Sequence, residues 1–211
     1  MKKFDLDYYR QHTDHYLEKN LEKIPSFNWL KKELAVKKGE KILDAGCGTG
    51  YLLNFVCPPL VEGMGVDISS FAIKKAKKLF PKLKFFQADI TNLPFKDNFF
   101  DKVFSINVFE HLKNPQKALK EIKRILKPEG IFIIGTNNRL SLSWRLFKII
   151  YGGDPTHIFE FSKKEFKDFV SQEFTILKVA SLGSIGRFPD FFNLILNFFF
   201  RGDILIKAKK K

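Results

Sequence analysis

The stretch Lys41-Ile42-Leu43-Asp44-Ala45-Gly46-Cys47-Gly48-Thr49-Gly50 runs an apolar segment into three glycines spaced two apart. Without Cβ atoms such a loop turns tightly and lets its backbone touch a ligand. It is not the dinucleotide fingerprint G-x-G-x-x-G, since its third glycine comes one residue early, nor a phosphate loop, since it lacks the Gly-Lys-Ser/Thr ending. Taken alone it also fits a plain tight turn between strand and helix. Further along lies Asp67, in Gly65-Val66-Asp67-Ile68, a carboxylate that can accept two hydrogen bonds from the vicinal hydroxyls of a ribose. Asp89 and Asn107 close two further apolar runs, Lys84–Ala88 and Lys102–Ile106. Asp44, Asp67, Asp89 and Asn107 at four consecutive strand ends offer mainly acceptors. That suits a donor-rich ligand carrying positive charge and disfavours a phosphate-rich one.

Two histidines are placed for proton chemistry. His111 lies in Asn107-Val108-Phe109-Glu110-His111-Leu112, and His157 in Asp154-Pro155-Thr156-His157-Ile158. An imidazole with an ordinary pKa of about 6.5 suits a general base at neutral pH. His111 would equally well start a helix while bonded to a carboxylate or carbonyl. His157, beside Pro155, would clamp its loop or position a substrate. His12 and His15 share a segment with Tyr8, Tyr9 and Tyr16 that either covers the crevice or packs on the surface. Cys47 and Cys57 form no Cys-x-x-Cys, and no His-x-x-x-His occurs, so no metal site is expected. Gly-x-Ser-x-Gly is also missing, which removes a nucleophile elbow.

Positioning these residues requires strands that alternate with helices. Seven short strands are expected, at Lys41–Ala45, Gly63–Asp67, Lys84–Ala88, Lys102–Ile106, Ile131–Gly135, Thr175–Ala180 and Ile204–Ala208. Helices are expected at Tyr51–Val56, Ser70–Leu79, Pro115–Leu126 and Lys163–Val170, the last capped by Ser162 with Glu165 three residues on. Asp14–Ala35 reads as helical, broken at Pro25. The alternation predicts an α/β fold with a mostly parallel sheet.

With 211 residues, 45% hydrophobic and 28% charged, the chain fits one globular domain and not a disordered one. Its 37 Lys and Arg against 23 Asp and Glu give +14, spread along the chain without a basic tail. An anionic partner is worth testing on that ground, though base composition of the genome would produce the same lysine excess. Two cysteines exclude a disulfide scaffold. The polar N-terminus contains no apolar run of a signal peptide, so a cytoplasmic location is the default expectation.

Five motifs occur in order: Leu43–Gly50, Gly65–Ser69, Asp89–Asp101, Glu110–Leu112 and Leu126–Gly130. Together they resemble the class I S-adenosylmethionine-dependent methyltransferases, in the small-molecule and lipid-directed methyltransferase-domain subfamily. The resemblance implies a Rossmann-like sheet of seven strands, mostly parallel, with helices on both faces and an antiparallel last strand. It implies a single domain, with residues 1–38 as a helical cap, 39–137 as cofactor core and 138–211 as substrate-side half. Gly46, Cys47, Gly48 and Gly50 would pass over the methionine part of S-adenosylmethionine, and Asp44 would hold the loop or, through water, the amino group. Asp67 would bind the ribose and Ile68 the adenine face. Asp89 and Ile90 would bond the adenine edge, and Asn107 and Val108 would line the methyl-donating end. His111 and His157 would be the catalytic candidates.

The expected acceptor is a small molecule, hydrophobic or lipid-linked. Residues 139–151 mix Arg139, Arg145 and Lys148 with apolar side chains, and Phe188–Phe200 is apolar almost all round. As a helix the latter would span ~20 Å, short of a ~30 Å hydrocarbon core, so the expectation is core packing, a crevice cap or peripheral contact with an anionic membrane. An RNA or protein methyltransferase and a noncatalytic binding module are the alternatives. No recognition domain or basic-aromatic patch points to a specific nucleic acid.

Overall fold

The structure is a computed structural model that describes residues 21–141, 145, 148–149, 152, 156–182 and 202–211. His12, His15 and Phe188–Phe200 lie outside the described residues, as does most of the 139–151 segment. After a 3-10 turn at Leu21–Lys23, the elements in order are α1 (Pro25–Leu34), β1 (Lys41–Ala45), α2 (Tyr51–Val56), β2 (Glu62–Asp67), α3 (Ser70–Leu79), β3 (Lys84–Gln87) and β4 (Phe100–Ile106). A second 3-10 turn, Phe109–His111, leads to α4 (Pro115–Ile125), β5 (Leu126–Asn137), α5 (Lys163–Ser171), β6 (Phe174–Leu182) and β7 (Asp203–Lys210).

Local chemistry explains the helix starts. Pro25 is the first residue of α1, where its missing N–H costs nothing, so the helix begins at the proline that interrupts the pattern. Ser69 Oγ accepts from Ala72 N–H, and Asn114 Oδ1 accepts from Lys117 N–H ahead of α4. Ser162 and Glu165 form the expected capping box, with bonds of 3.3 and 2.8 Å.

The sheet order is β3-β2-β1-β4-β5-β7-β6. β3, β2, β1, β4 and β5 are parallel, whereas β7 is antiparallel to both β5 and β6 and so lies inside the sheet. Alternating side chains divide the core in two. Leu43, Val103, Phe132 and Ile206 pack with Leu119 and Ile122 of α4 and Phe166 and Val170 of α5. Ile42, Phe104 and Ile133 pack with Leu30 and Leu34 of α1, Leu53 of α2 and Ile73 of α3. The strand order reverses between β1 and β4. Open α/β sheets bind their ligands in the crevice at the carboxyl ends of such a switch point. Ser105 Oγ donates to Ala45 O at 2.6 Å in the buried interior, tying the two strand ends that frame that crevice. The following 89–99 loop is held by Arg124, whose guanidinium donates to Leu93 O and Phe95 O and pairs with Glu121 and Asp97.

Candidate active site

At the end of β1 the chain folds back over β2, because Gly46 N–H and Cys47 N–H both donate to Val66 O, at 2.8 and 2.9 Å. Gly46 and Gly50 sit at φ of +91° and +86°, where a side chain would strain the backbone. A Cβ on Gly46 would stand 2.3 Å from Val108 Cγ2, so the loop also rests directly on the residue that follows β4. Gly48 N–H donates to Asp67 Oδ2 at 2.9 Å, and Ser69 N–H donates to Oδ1 at 2.8 Å. These two bonds fix the carboxylate plane. A carboxylate offers about four acceptor positions, so the same group can also receive ribose hydroxyls.

Ile68, next in sequence, is 50% exposed although apolar, with its carbonyl accepting from Gln87 Nε2. An apolar plate beside a carboxylate that can accept two hydroxyls suits a nucleoside. Asp89 is exposed at the end of β3, its Oδ1 accepting from Thr91 N–H at 2.8 Å, and Ile90 is buried behind it. Asn107 is exposed in a left-handed conformation, φ +56°, its N–H held by Gly135 O. Asp44 differs from these three. It is 2% exposed, and burial, followed by the charge of Asp67, holds its carboxyl well above the ordinary range. It is therefore not a further open anion. Burial likewise raises the thiol of Cys47 well above its usual value and pushes Cys57 up to about 12, so neither is a nucleophile at neutral pH.

On the other side of Val108, the 3-10 turn carries Glu110, buried, and His111, half-buried. The segment after β5 returns to meet it. Ile158 N–H and Phe159 N–H both donate to Glu110 O, at 2.8 and 3.0 Å. His111 Nδ1 lies 3.2 Å from Thr156 O and 3.0 Å from Thr156 Oγ1. A carbonyl only accepts, so the hydrogen-bond network assigns the proton to Nδ1 and leaves Nε2 as the acceptor nitrogen. The His111 and His157 rings meet edge to face, 4.8 Å between centroids. Ligand atoms of Glu110, His111 and His157 all lie within 4.8 Å of one another.

The structure thus brings Asp67, Ile68, Asp89, Asn107, Val108 and the glycines to one crevice and His111 and His157 to one pair. Three contributors escape the sequence pattern. Glu110 belongs to the Glu-His-Leu motif without a role visible there, and Thr156 and Ser105 act through partners distant in the chain. Only Pro155-Thr156-His157, a turn signal next to a histidine, hints at the second.

A methyltransferase domain family model matches residues 43–134. The sterol 24-C-methyltransferase ERG6B of Gibberella zeae is 34% identical over 115 residues, covering 50% of this chain and 30% of that enzyme. A protein of Mycolicibacterium smegmatis named "Probable S-adenosylmethionine-dependent methyltransferase" is 29% identical over 105 residues, covering 50% and 41%. The chain therefore spans less than half the length of these relatives. An S-adenosylmethionine-dependent methyltransferase structure from Aquifex aeolicus superimposes with a TM-score of 0.74 at 19% identity, covering 99% of this chain and all of that one. The matched range contains the glycine loop, Asp67, Asp89 and Asn107, the residues at the carboxyl ends of β1 to β4. Residues 43–134 are thus similar to the methyltransferase domain family and the whole fold to an S-adenosylmethionine-dependent methyltransferase structure, which together indicate S-adenosylmethionine as the cofactor.

Proposed function

We propose that the protein transfers a methyl group to a small acceptor of hydrophobic or lipid-like character, held between the glycine loop and the segment that follows β5. The observation that carries this reading is the join at Val108. Its side chain packs on Gly46, and the turn that begins one residue later presents His111 and, across it, His157. When bound, S-adenosylmethionine supplies a methyl group already activated on a sulfonium. What the chain must add is alignment and proximity, since methyl transfer is an in-line displacement. In this reading Asp67 and Ile68 orient the nucleoside, Gly46 to Gly50 let the methionine part lie against backbone, and Asn107 and Val108 face the methyl end. His111 and His157 hold the acceptor heteroatom.

The acceptor's apolar character is supported by Leu140, Ile149, Ile158 and Phe159, all exposed and all in the 138–161 segment on that side. The relatives include a sterol methyltransferase, which points the same way. Arg139 and Lys148 are paired with Glu165 and Glu160, which lowers the positive charge this segment would offer an anionic membrane. No helix among the described residues is long and apolar enough to cross a membrane. The test incubates purified protein with isotopically labelled cofactor and, separately, lipid and aqueous metabolite extracts. Label should enter the lipid fraction. Label confined to aqueous species would overturn the acceptor class, and absent cofactor binding by calorimetry would overturn the function itself.

A further inference from the structure

We propose that Glu110, His111 and His157 bind one divalent transition-metal ion of the zinc type. The donor set is two imidazoles and one carboxylate, with ligand atoms within 4.8 Å of one another. Bonds of about 2.0–2.2 Å to a tetrahedral ion separate its ligands by about 3.3–3.6 Å, so closure needs about 1 Å of movement, within reach of side-chain rotation. Two nitrogen donors among three favour zinc and its first-row neighbours over magnesium or calcium, which prefer oxygen.

The supporting contacts match those that orient a metal ligand. His111 donates Nδ1–H to the Thr156 carbonyl, which fixes the ring and directs the Nε2 lone pair away from that bond. The loop supplying His157 is anchored on Glu110 itself, since the N–H groups of Ile158 and Phe159 both donate to Glu110 O. The three donors thus come from two stretches of chain, 110–111 and 157, that backbone bonds already hold in register. Glu110 is 1% exposed, so its carboxylate is held among protein groups beside the two imidazoles and away from bulk water. Three protein ligands leave a position for water or for a heteroatom of the acceptor, which His111 and His157 would then hold through the ion and not by direct hydrogen bonds. The site lies next to Val108, on the side where the proposed acceptor is held, so in its catalytic role it rests on that reading, while binding of the ion does not.

The experiment uses the full chain without an affinity tag, treated with EDTA and dialysed, then titrated with ZnCl2 by calorimetry and with CoCl2 by visible absorption. Wild type is expected to take up one ion per chain and to show cobalt d–d bands of nitrogen-containing coordination. His157→Ala should weaken zinc binding by at least roughly tenfold and abolish those bands, with circular dichroism confirming that it folds. Glu110→Gln should weaken it as well. If it fails to fold, His157→Ala alone decides. Less than stoichiometric uptake, or uptake unchanged in His157→Ala, would overturn the site. Binding of S-adenosylmethionine to the EDTA-treated wild type, expected to persist, separates a failed metal site from a failed cofactor assignment.

Discussion

The two sides of the crevice are built in different ways. The cofactor side is made of consecutive strand ends, each contributing what lies next to it in sequence: Gly46–Gly50 after β1, Asp67 and Ile68 after β2, Asp89 after β3. The proposed acceptor side is assembled from a turn after β4 and a segment after β5, joined by bonds such as Thr156 to His111 across 45 residues. A parallel sheet with a switch point offers a ligand site from local sequence, whereas the proposed acceptor side depends on long-range contacts.

The sharpest way to break that comparison is at the loop where the sides touch. Gly46→Ala combines positive φ with a Cβ 2.3 Å from Val108 Cγ2, and together strain and overpacking should cost roughly 2–4 kcal/mol. Gly39 has a similar φ of +84° with nothing within 4 Å of a Cβ, so Gly39→Ala should cost only about 1–2 kcal/mol. Equal losses in denaturant titrations would mean that contact between the two sides is unimportant. Asp67→Ala acts on the cofactor side alone. Loss of a charge-assisted contact of roughly 1.5–3 kcal/mol should weaken S-adenosylmethionine about 10- to 150-fold in calorimetry. Affinity equal to wild type would remove the ribose assignment.

Thr156→Val tests the opposite side. Losing the hydroxyl at His111 should lower stability by about 1 kcal/mol and leave cofactor affinity within about twofold. A large change in affinity would show that the sides are coupled more tightly than their construction suggests. The smallest effect concerns pH. Asp44 has its carboxyl raised in the folded state, so its contribution is full below the ordinary carboxylate pKa and is lost as pH rises through the raised value. Asp44→Asn cannot ionise, and its stability relative to wild type should increase with pH above about 4. Glu121 runs the other way. Hydrogen bonding to Arg124 lowers its pKa, so the advantage of wild type over Glu121→Gln should disappear as pH falls below about 4. Parallel pH profiles for the two variants would contradict these assignments.

The same division decides what could be seen in the sequence. β1, α2 and α3 have the same bounds in sequence and structure, because the glycine loop and the Ser69 cap mark them locally. β5 is longer than its pattern suggests. The sequence ends a helix at Leu126 and starts the strand at Ile131, yet Leu126 pairs with Phe100 and the register shift between Phe100 and Lys102 absorbs the extra residues. Burial of Asp44 was not visible, since alternation along β1 says which face it lies on but not what covers it. The meeting of Glu110, His111 and His157 leaves no periodic mark either, because it depends on how a segment returns after β5.

The antiparallel pairing of Asp203–Lys210 between β5 and β6 also has a consequence for the order of events during synthesis. Among the described residues β6 bonds only to β7, so Phe174–Leu182 can emerge from the ribosome with no neighbour to join until residues 203–210 have followed. At about 5–20 residues per second that interval is on the order of seconds. Throughout it β5 keeps a bare edge, the kind of surface on which a second nascent chain can add a strand. Pulse-labelled hydrogen exchange should accordingly find β1 to β4 protected before β6, and β6 protected before β7 would contradict the order. The strand that completes the sheet is thus also the one that ends its exposure to the wrong partner.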